Sequence, residues 1–248
     1  MEKKIALVTG GTGGIGTHIC RALRDGGAKV VAGFNWGGGD KEALKWQTEQ
    51  RELDYDFGVA YGDVSNFESS AAMIEEIQSK HGPVEILVNN AGITFDTTFR
   101  KMTSVQWDSV LRINLDSVFN VTRNVIEGML EKGFGRIINI SSINGQKGQF
   151  GQANYSAAKA GMHGFTKALA QEVAKKGITV NTISPGYVAT PMVQKLSSEV
   201  LDKIIAQIPV GRLAKPEEIA RLVAFLADEK SGFITGSNFA INGGQHMF

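Results

Sequence analysis

The sequence contains a single cysteine, Cys20, in 248 residues, so an internal disulfide is excluded. Its four histidines, His18, His81, His163 and His246, are scattered without metal-ligand spacing beside that cysteine, and no metal is expected. A reducing, cytoplasmic setting follows as the expectation. Proline is scarce, at 5 residues, and there is no linker, low-complexity stretch or fixed-period repeat. No apolar run approaches the ~18 to 20 residues that cross a bilayer, so no membrane association is expected. The run Ile5-Ala6-Leu7-Val8 behind Lys3-Lys4 breaks at Thr9-Gly10-Gly11, too soon for an export signal. Neither sign of charge is in excess: 26 Lys and Arg against 25 Asp and Glu leave +1 with no long basic run, which argues against nucleic acid as a partner.

What is present is a globular composition, 42% hydrophobic and 21% charged with 30 glycines. A chain of this length buries roughly 70 to 75% of its unfolded surface, and at ~150 residues per domain it fits one unit spanning residues 1–248. Short apolar runs at 5–8, 29–33, 57–61, 85–89, 136–140, 179–184 and 239–242 read as strands. Helical patterns lie between them at 15–23, 41–52, 68–81, 105–130, 155–175 and 216–227. The alternation predicts an α/β fold, a single doubly wound, mainly parallel Rossmann sheet of about seven strands with helices on both faces. The least regular stretch, Gly186 to Arg212, follows a strand end and holds a short amphipathic segment, Val193 to Ile208. Ligands bind outside the carboxyl ends of strands in such sheets, which makes this stretch a candidate substrate lid.

Between the first strand and helix stands Thr9-Gly10-Gly11-Thr12-Gly13-Gly14-Ile15-Gly16. Glycines there permit a tight turn and close approach of backbone N–H groups to a pyrophosphate, which the helix N-terminus favours. No Lys-Ser or Lys-Thr follows the last glycine, so a Walker-type loop is disfavoured. The loop after the second strand discriminates between dinucleotides, because a carboxylate there accepts ribose hydroxyls and repels a 2′-phosphate. Here Ala32-Gly33-Phe34-Asn35-Trp36 offers none before Asp40, whereas Asn35 and Lys41 suit a phosphate. NADPH is therefore expected over NADH, although the glycine loop itself carries no Arg or Lys.

Tyr155 and Lys159 stand one helical turn apart and share a face. A Lys ammonium beside a phenol favours the phenolate, which predicts a lowered Tyr155 pKa and proton exchange with a substrate oxygen. Ser142, just beyond a strand, can reach the phenol at the start of the same helix. Asn114, between Ile113 and Leu115, would hold a water against the Lys if it faced the sheet.

With these residues the chain resembles the short-chain dehydrogenase/reductases over nearly its whole length. The motifs are the glycine loop, Asn89-Asn90-Ala91-Gly92, Asn114, Ser142, Tyr155-Ser156-Ala157-Ala158-Lys159 and Pro185-Gly186-Tyr187-Val188-Ala189-Thr190. The resemblance implies a tetrad: Tyr155 as acid in carbonyl reduction, Lys159 tuning it and holding the nicotinamide ribose, Ser142 on the substrate carbonyl, Asn114 in a water relay. It also implies Asp63 and Val64 along the adenine, and Asn90, Ala91 and Gly92 near the cofactor ribose. Pro185, Gly186, Val188 and Thr190 would lie by the carboxamide. Asn89 would tie strands together, and Ser141 would be structural. A homotetramer is implied as well, built on the Asn114 and Tyr155 helices and on the C-terminal strand region.

The stretches Asn144 to Tyr155 and Ile93 to Met102 resemble those of acetoacetyl-CoA reductases, which make (R)-3-hydroxybutyryl-CoA for polyhydroxybutyrate. Asp96, Lys101, Gln149, Phe150, Gln152 and Tyr187 are then the candidates for binding an acyl-CoA thioester, with Arg100 and Lys147 as further cations for its phosphates. A 3-oxoacyl-ACP reductase is the alternative, because an acidic carrier protein suits the same cations. A redox-inactive cofactor-binding scaffold is disfavoured by a complete tetrad.

Overall fold

The computed structural model describes residues 1, 3–35 and 40–247, with the backbone alone at Met192. In chain order the elements are β1 (Ile5–Thr9), α1 (Gly14–Asp25), β2 (Lys29–Phe34), α2 (Lys41–Arg51), β3 (Gly58–Tyr61), α3 (Phe67–His81) and β4 (Ile86–Asn89). Then come α4 (Ser104–Leu111), α5 (Ser117–Lys132), β5 (Gly135–Ile140), α6 (Asn144–Lys147), α7 (Ala153–Val173) and β6 (Ile178–Pro185). The chain finishes with α8 (Pro191–Gln194), α9 (Ser198–Ile205), α10 (Pro216–Ala227) and β7 (Asn238–Ile241).

All strands pair in parallel in the order β3-β2-β1-β4-β5-β6-β7, the doubly wound α/β arrangement expected from the alternation of runs. Alternate strand residues feed two cores, because successive side chains leave opposite faces. Ala6, Val8, Ile86, Val88 and Ile138 pack under α1, α2 and α10 through Ile19, Leu23, Trp46 and Val223. Ile5, Leu7, Leu87 and Ile137 pack under α3, α5 and α7 through Met73, Ile77, Val125, Met129 and Val173. Near-continuous apolar strands are what a sheet covered on both faces requires.

Helix boundaries follow local chemistry. Asn66 caps α3 by accepting from Ser69 N, Thr103 and Gln106 form a capping box at α4, and α5 stops at left-handed Gly133 (φ 63°). The single helix expected over 105–130 is interrupted: Arg112–Asp116 forms a π-helical turn between α4 and α5, with Asn114 inside it. Among the described residues no helix is long and apolar enough to cross a membrane.

Candidate active site

The strand order reverses at β1 and β4, and the loops leaving their carboxyl ends bring the glycine loop and Asn90 to Gly92 together. Asn90 Nδ2 donates to Thr9 O (3.0 Å) and Gly10 O (3.1 Å), while Asn90 N and Ala91 N both donate to Thr9 Oγ1. Gly10 turns with φ +61°, and a Cβ on Gly11 would stand 2.7 Å from Ala32 Cβ, so neither position takes a larger side chain without displacing β2 or the turn. Helix α1 starts after Gly13 with no side-chain cap and no acidic residue in its first turn. Its first-turn N–H groups, the positive end of the helix dipole, thus face the cleft, as a pyrophosphate would need.

The other expected cofactor residues distribute around this switch point. Pro185 O at the end of β6 accepts from Ile143 N (2.8 Å). A Cβ on Gly186 would meet Asn242 Cα at 2.9 Å, so the chain leaves β6 pressed against the segment after β7. Val188 pairs with Ala214, Ala189 N donates to Ala214 O, and Ala214 N donates to Tyr187 O. These bonds pin both ends of the 186–212 stretch, which folds as α8 and α9 rather than one segment. Thr190 caps α8 and, with Pro191, lies 3.2 to 3.3 Å from where a Gly14 Cβ would be, bringing this stretch over the start of α1. Asp63 is held by Ser65 (2.7 Å to its hydroxyl) and Ser69, and Val64 O accepts from Asn120. Asn35 is exposed just beyond β2 and Lys41 is exposed at the start of α2, while Trp36 to Gly39, in the loop expected to help hold a phosphate, lie outside the described residues.

The reactive residues meet beside this cleft. Asn114 is fully buried in the π-helical turn, where its Nδ2 donates to Ile93 O (2.8 Å) and Val110 O (2.9 Å). Its Oδ1 is buried without a partner. A Cβ on Gly92 would lie 2.6 Å from that oxygen and 3.4 Å from Lys159 Nζ, so Gly92, Asn114 and Lys159 converge on one spot that only glycine leaves open. Lys159 is 3% exposed and donates to Ile140 O (2.8 Å), with no carboxylate partner among the described residues. A buried, carboxylate-free ammonium, an orphaned amide oxygen and an uncapped helix start fit a nicotinamide dinucleotide laid along the cleft.

The half-buried Tyr155 hydrogen-bonds Ser142 through its phenol, and Lys159 Nζ lies 5.5 Å from its ring centroid. The expected lowering of its pKa by Lys159 is not what these residues produce. Burial pushes the phenol up to about 12, the Ser142 hydrogen bond opposes it, and the Asp96 carboxylate adds to the rise. Burial likewise pulls Lys159 down to about 7, so the ammonium that would favour a phenolate is itself expensive to keep charged. Tyr155 therefore keeps its proton at neutral pH.

Asn89 donates to Asn139 Oδ1 (2.8 Å) across β4 and β5 and to Thr122. Ser141 donates to Lys159 O (2.9 Å) and meets His163 Nε2 (2.9 Å), a contact with no sequence signal beyond the spacing of Lys159 and His163 on one helix. Among the candidate substrate residues, Lys101 and Phe150 are exposed, Gln149 is half-buried and accepts from Lys147 Nζ (3.0 Å), and the half-buried Tyr187 faces the Asp96 carboxylate, which with burial raises its phenol pKa. Gln152 is buried and bonded to Asp96 and Asn144.

A family model described as enoyl-(acyl carrier protein) reductase matches residues 10–246. The acetoacetyl-CoA reductase of Cupriavidus necator is 56% identical, with 100% of both chains covered. That of Allochromatium vinosum is 57% identical over 98% of this chain and 99% of its own. The 3-oxoacyl-(acyl-carrier-protein) reductase of Vibrio cholerae is 44% identical over 100% of this chain and 99% of its own. Matched end to end by such relatives, and carrying the glycine loop at the switch point of a seven-stranded parallel sheet, the chain belongs to the short-chain dehydrogenase/reductase family.

Proposed function

We propose that the protein reduces acetoacetyl-CoA to (R)-3-hydroxybutyryl-CoA with NADPH, supplying polyhydroxybutyrate synthesis. As a family member it is an oxidoreductase that works with a nicotinamide cofactor, which supplies the hydride when bound. The observation that carries the reading is the Tyr155 phenol hydrogen-bonded to Ser142 beside buried Lys159, at the cleft where the glycine loop opens. Tyr155, still protonated at neutral pH, donates its proton to the ketone oxygen, and Ser142 donates a hydrogen bond to the same oxygen. Lys159, with its proton affinity brought near neutrality, replaces the proton Tyr155 has given. Asn114 Oδ1 holds the water through which that proton arrives. Relatives named acetoacetyl-CoA reductase at 56 and 57% identity favour a CoA thioester over a carrier-protein thioester, whose named relative stands at 44%.

Lys101, with Arg100 and Lys147, would meet the CoA phosphates, and Gln149, Phe150 and Tyr187 would line the pocket mouth. Residues 1–248 would form one domain in which 186–212 covers the substrate. Exposed Val105 and Phe119 on the α4 and α5 faces, and Phe225 and Phe233 near the C-terminus, support a homotetramer; sedimentation as a monomer at micromolar concentration would contradict the tetramer. Asn35 and Lys41, with no carboxylate between β2 and Asp40, support NADPH over NADH. With acetoacetyl-CoA as substrate, Lys41→Ala is expected to lower kcat/KM for NADPH about tenfold, the loss of roughly one charge-assisted phosphate contact, and to leave that for NADH unchanged. Equal losses with both cofactors would contradict the assignment.

A further inference from the structure

The loop that leaves β4 is stitched onto the segment carrying the reactive residues. Asn114 Nδ2 holds Ile93 O, Asn154 Nδ2 reaches Phe95 O (3.4 Å), and Thr97 N donates to Gly151 O (2.8 Å). Between these points Gln152 Nε2 donates to both carboxylate oxygens of Asp96, each at 2.9 Å. Asp96 only accepts when ionised, so it fixes which end of the Gln152 amide faces it. The opposite end, Oε1, then accepts from Asn144 Nδ2 (2.8 Å). Asn144 N in turn donates to Ser142 Oγ (3.1 Å). A Ser142 oxygen that already accepts from the backbone turns its own proton away, toward the Tyr155 phenol.

We propose that Asp96 and Gln152 are positioning residues for the carbonyl reduction: the Asp96 carboxylate orients Gln152, which holds Asn144 and so aims the Ser142 hydroxyl at the reacting oxygen. The polarity of the chain leaves one direction for every donor in it. Gln152, buried with both ends of its amide engaged by protein groups, has no donor left for a thioester. The same carboxylate faces the Tyr155 phenol and opposes its ionisation. The titratable groups around that phenol are Lys159, one turn along α7, and Asp96, from the β4 loop; Tyr187, on the segment after β6, faces the same carboxylate. A charge that resists a phenolate favours the direction in which Tyr155 gives its proton away.

This inference rests on Tyr155 acting as the acid, and the test keeps the two apart. In the reverse reaction, 3-hydroxybutyryl-CoA oxidised with NADP, Tyr155 must first lose its proton, so the rate rises with pH along a limb set by the phenol. Asp96→Asn presents an amide whose N–H₂ meets that of Gln152, forcing one of them to flip. It is expected to lower the forward kcat about 10- to 100-fold with KM for acetoacetyl-CoA within about threefold, the pattern of lost positioning. The reverse-rate limb should move to lower pH by about 0.5 to 1 unit, because removing a nearby like charge makes the phenolate easier to form. Asp96→Glu, which keeps the charge, should hold the limb at its wild-type pH. Wild-type forward kcat in Asp96→Asn overturns the proposal, because the hydrogen-bond chain it cuts would then not aim Ser142. Should that variant fail to fold, Gln152→Met, which cuts the chain between Asp96 and Asn144, must lower kcat without raising KM, and wild-type kcat in it overturns the proposal equally. No turnover in the wild type would instead sink the reductase reading itself.

Discussion

Tyr155→Phe is expected to lower kcat for acetoacetyl-CoA reduction by about 10³- to 10⁴-fold, in the range a positioned general acid contributes, while NADPH binds within about threefold of wild type. The change removes one oxygen and leaves the ring. The α7 backbone, the Lys159 bond to Ile140 O and the contact of Nζ with the ring face all remain. The phenol's hydrogen-bond partner is Ser142, beyond β5 and not in the glycine loop, so cofactor affinity has no reason to fall with it. Because burial holds the Tyr155 pKa at about 12, the wild-type acid is loaded across the neutral range, and a phenylalanine cannot be rescued by changing the pH. Fluorescence titration with NADPH and single-turnover reduction separate binding from chemistry. Turnover within tenfold of wild type would show that another group supplies the proton.

Gly16→Ala is expected to cost both fold stability and cofactor binding. A Cβ there would lie 2.2 Å from Gly10 O, 2.9 Å from Gly11 Cα and 3.0 Å from Asn90 Nδ2. Two of those atoms are backbone in a turn that Gly10 closes with positive φ, and the third is the side chain that ties β4 to the glycine loop. None can retreat without moving α1 off β1. Overpacking of this kind costs about 1 to 3 kcal/mol, which lowers the melting temperature of a chain this size by roughly 2 to 12 °C, and the displaced α1 N-terminus should weaken NADPH binding about 100-fold. Gly13→Ala supplies the contrast, since its Cβ would find only Gly10 O, at 3.3 Å. It should keep the melting temperature to within a few degrees. It should nonetheless weaken NADPH binding, because the new methyl stands in the cradle rather than in the packing. Equal stability losses in the two variants would contradict this account of the loop.

The sheet was legible because its strands are short apolar runs bounded by glycines and polar turns. Val30-Val31-Ala32 and Arg136-Ile137-Ile138 could only be buried on both faces, and both are, with Lys29 exposed at the start of its strand. The glycine loop was legible for the same local reason. The π-helical turn at Asn114 was not, because Arg112-Ile113-Asn114-Leu115-Asp116 has ordinary helical periodicity; the extra residue per turn is held by an amide bonding to Val110 O and to Ile93 O, the latter from a distant loop. Helix α6, four residues containing Gly145, was invisible because it exists through close packing on α7, where a Cβ on Gly145 would lie 2.8 Å from the Lys159 carbonyl carbon. The direction of the Tyr155 pKa was misjudged for a related reason. The sequence shows its neighbour one turn away but not the burial that outweighs it, nor the Asp96 carboxylate brought in from the β4 loop.

The most direct test of the central claim is a side-by-side measurement of kcat/KM for NADPH oxidation with acetoacetyl-CoA and with acetoacetyl-ACP. A CoA preference of tenfold or more, about 1.4 kcal/mol of transition-state discrimination, is the predicted result. A preference of that size for the carrier-protein thioester would contradict it and move the same fold and the same tetrad to fatty acid synthesis.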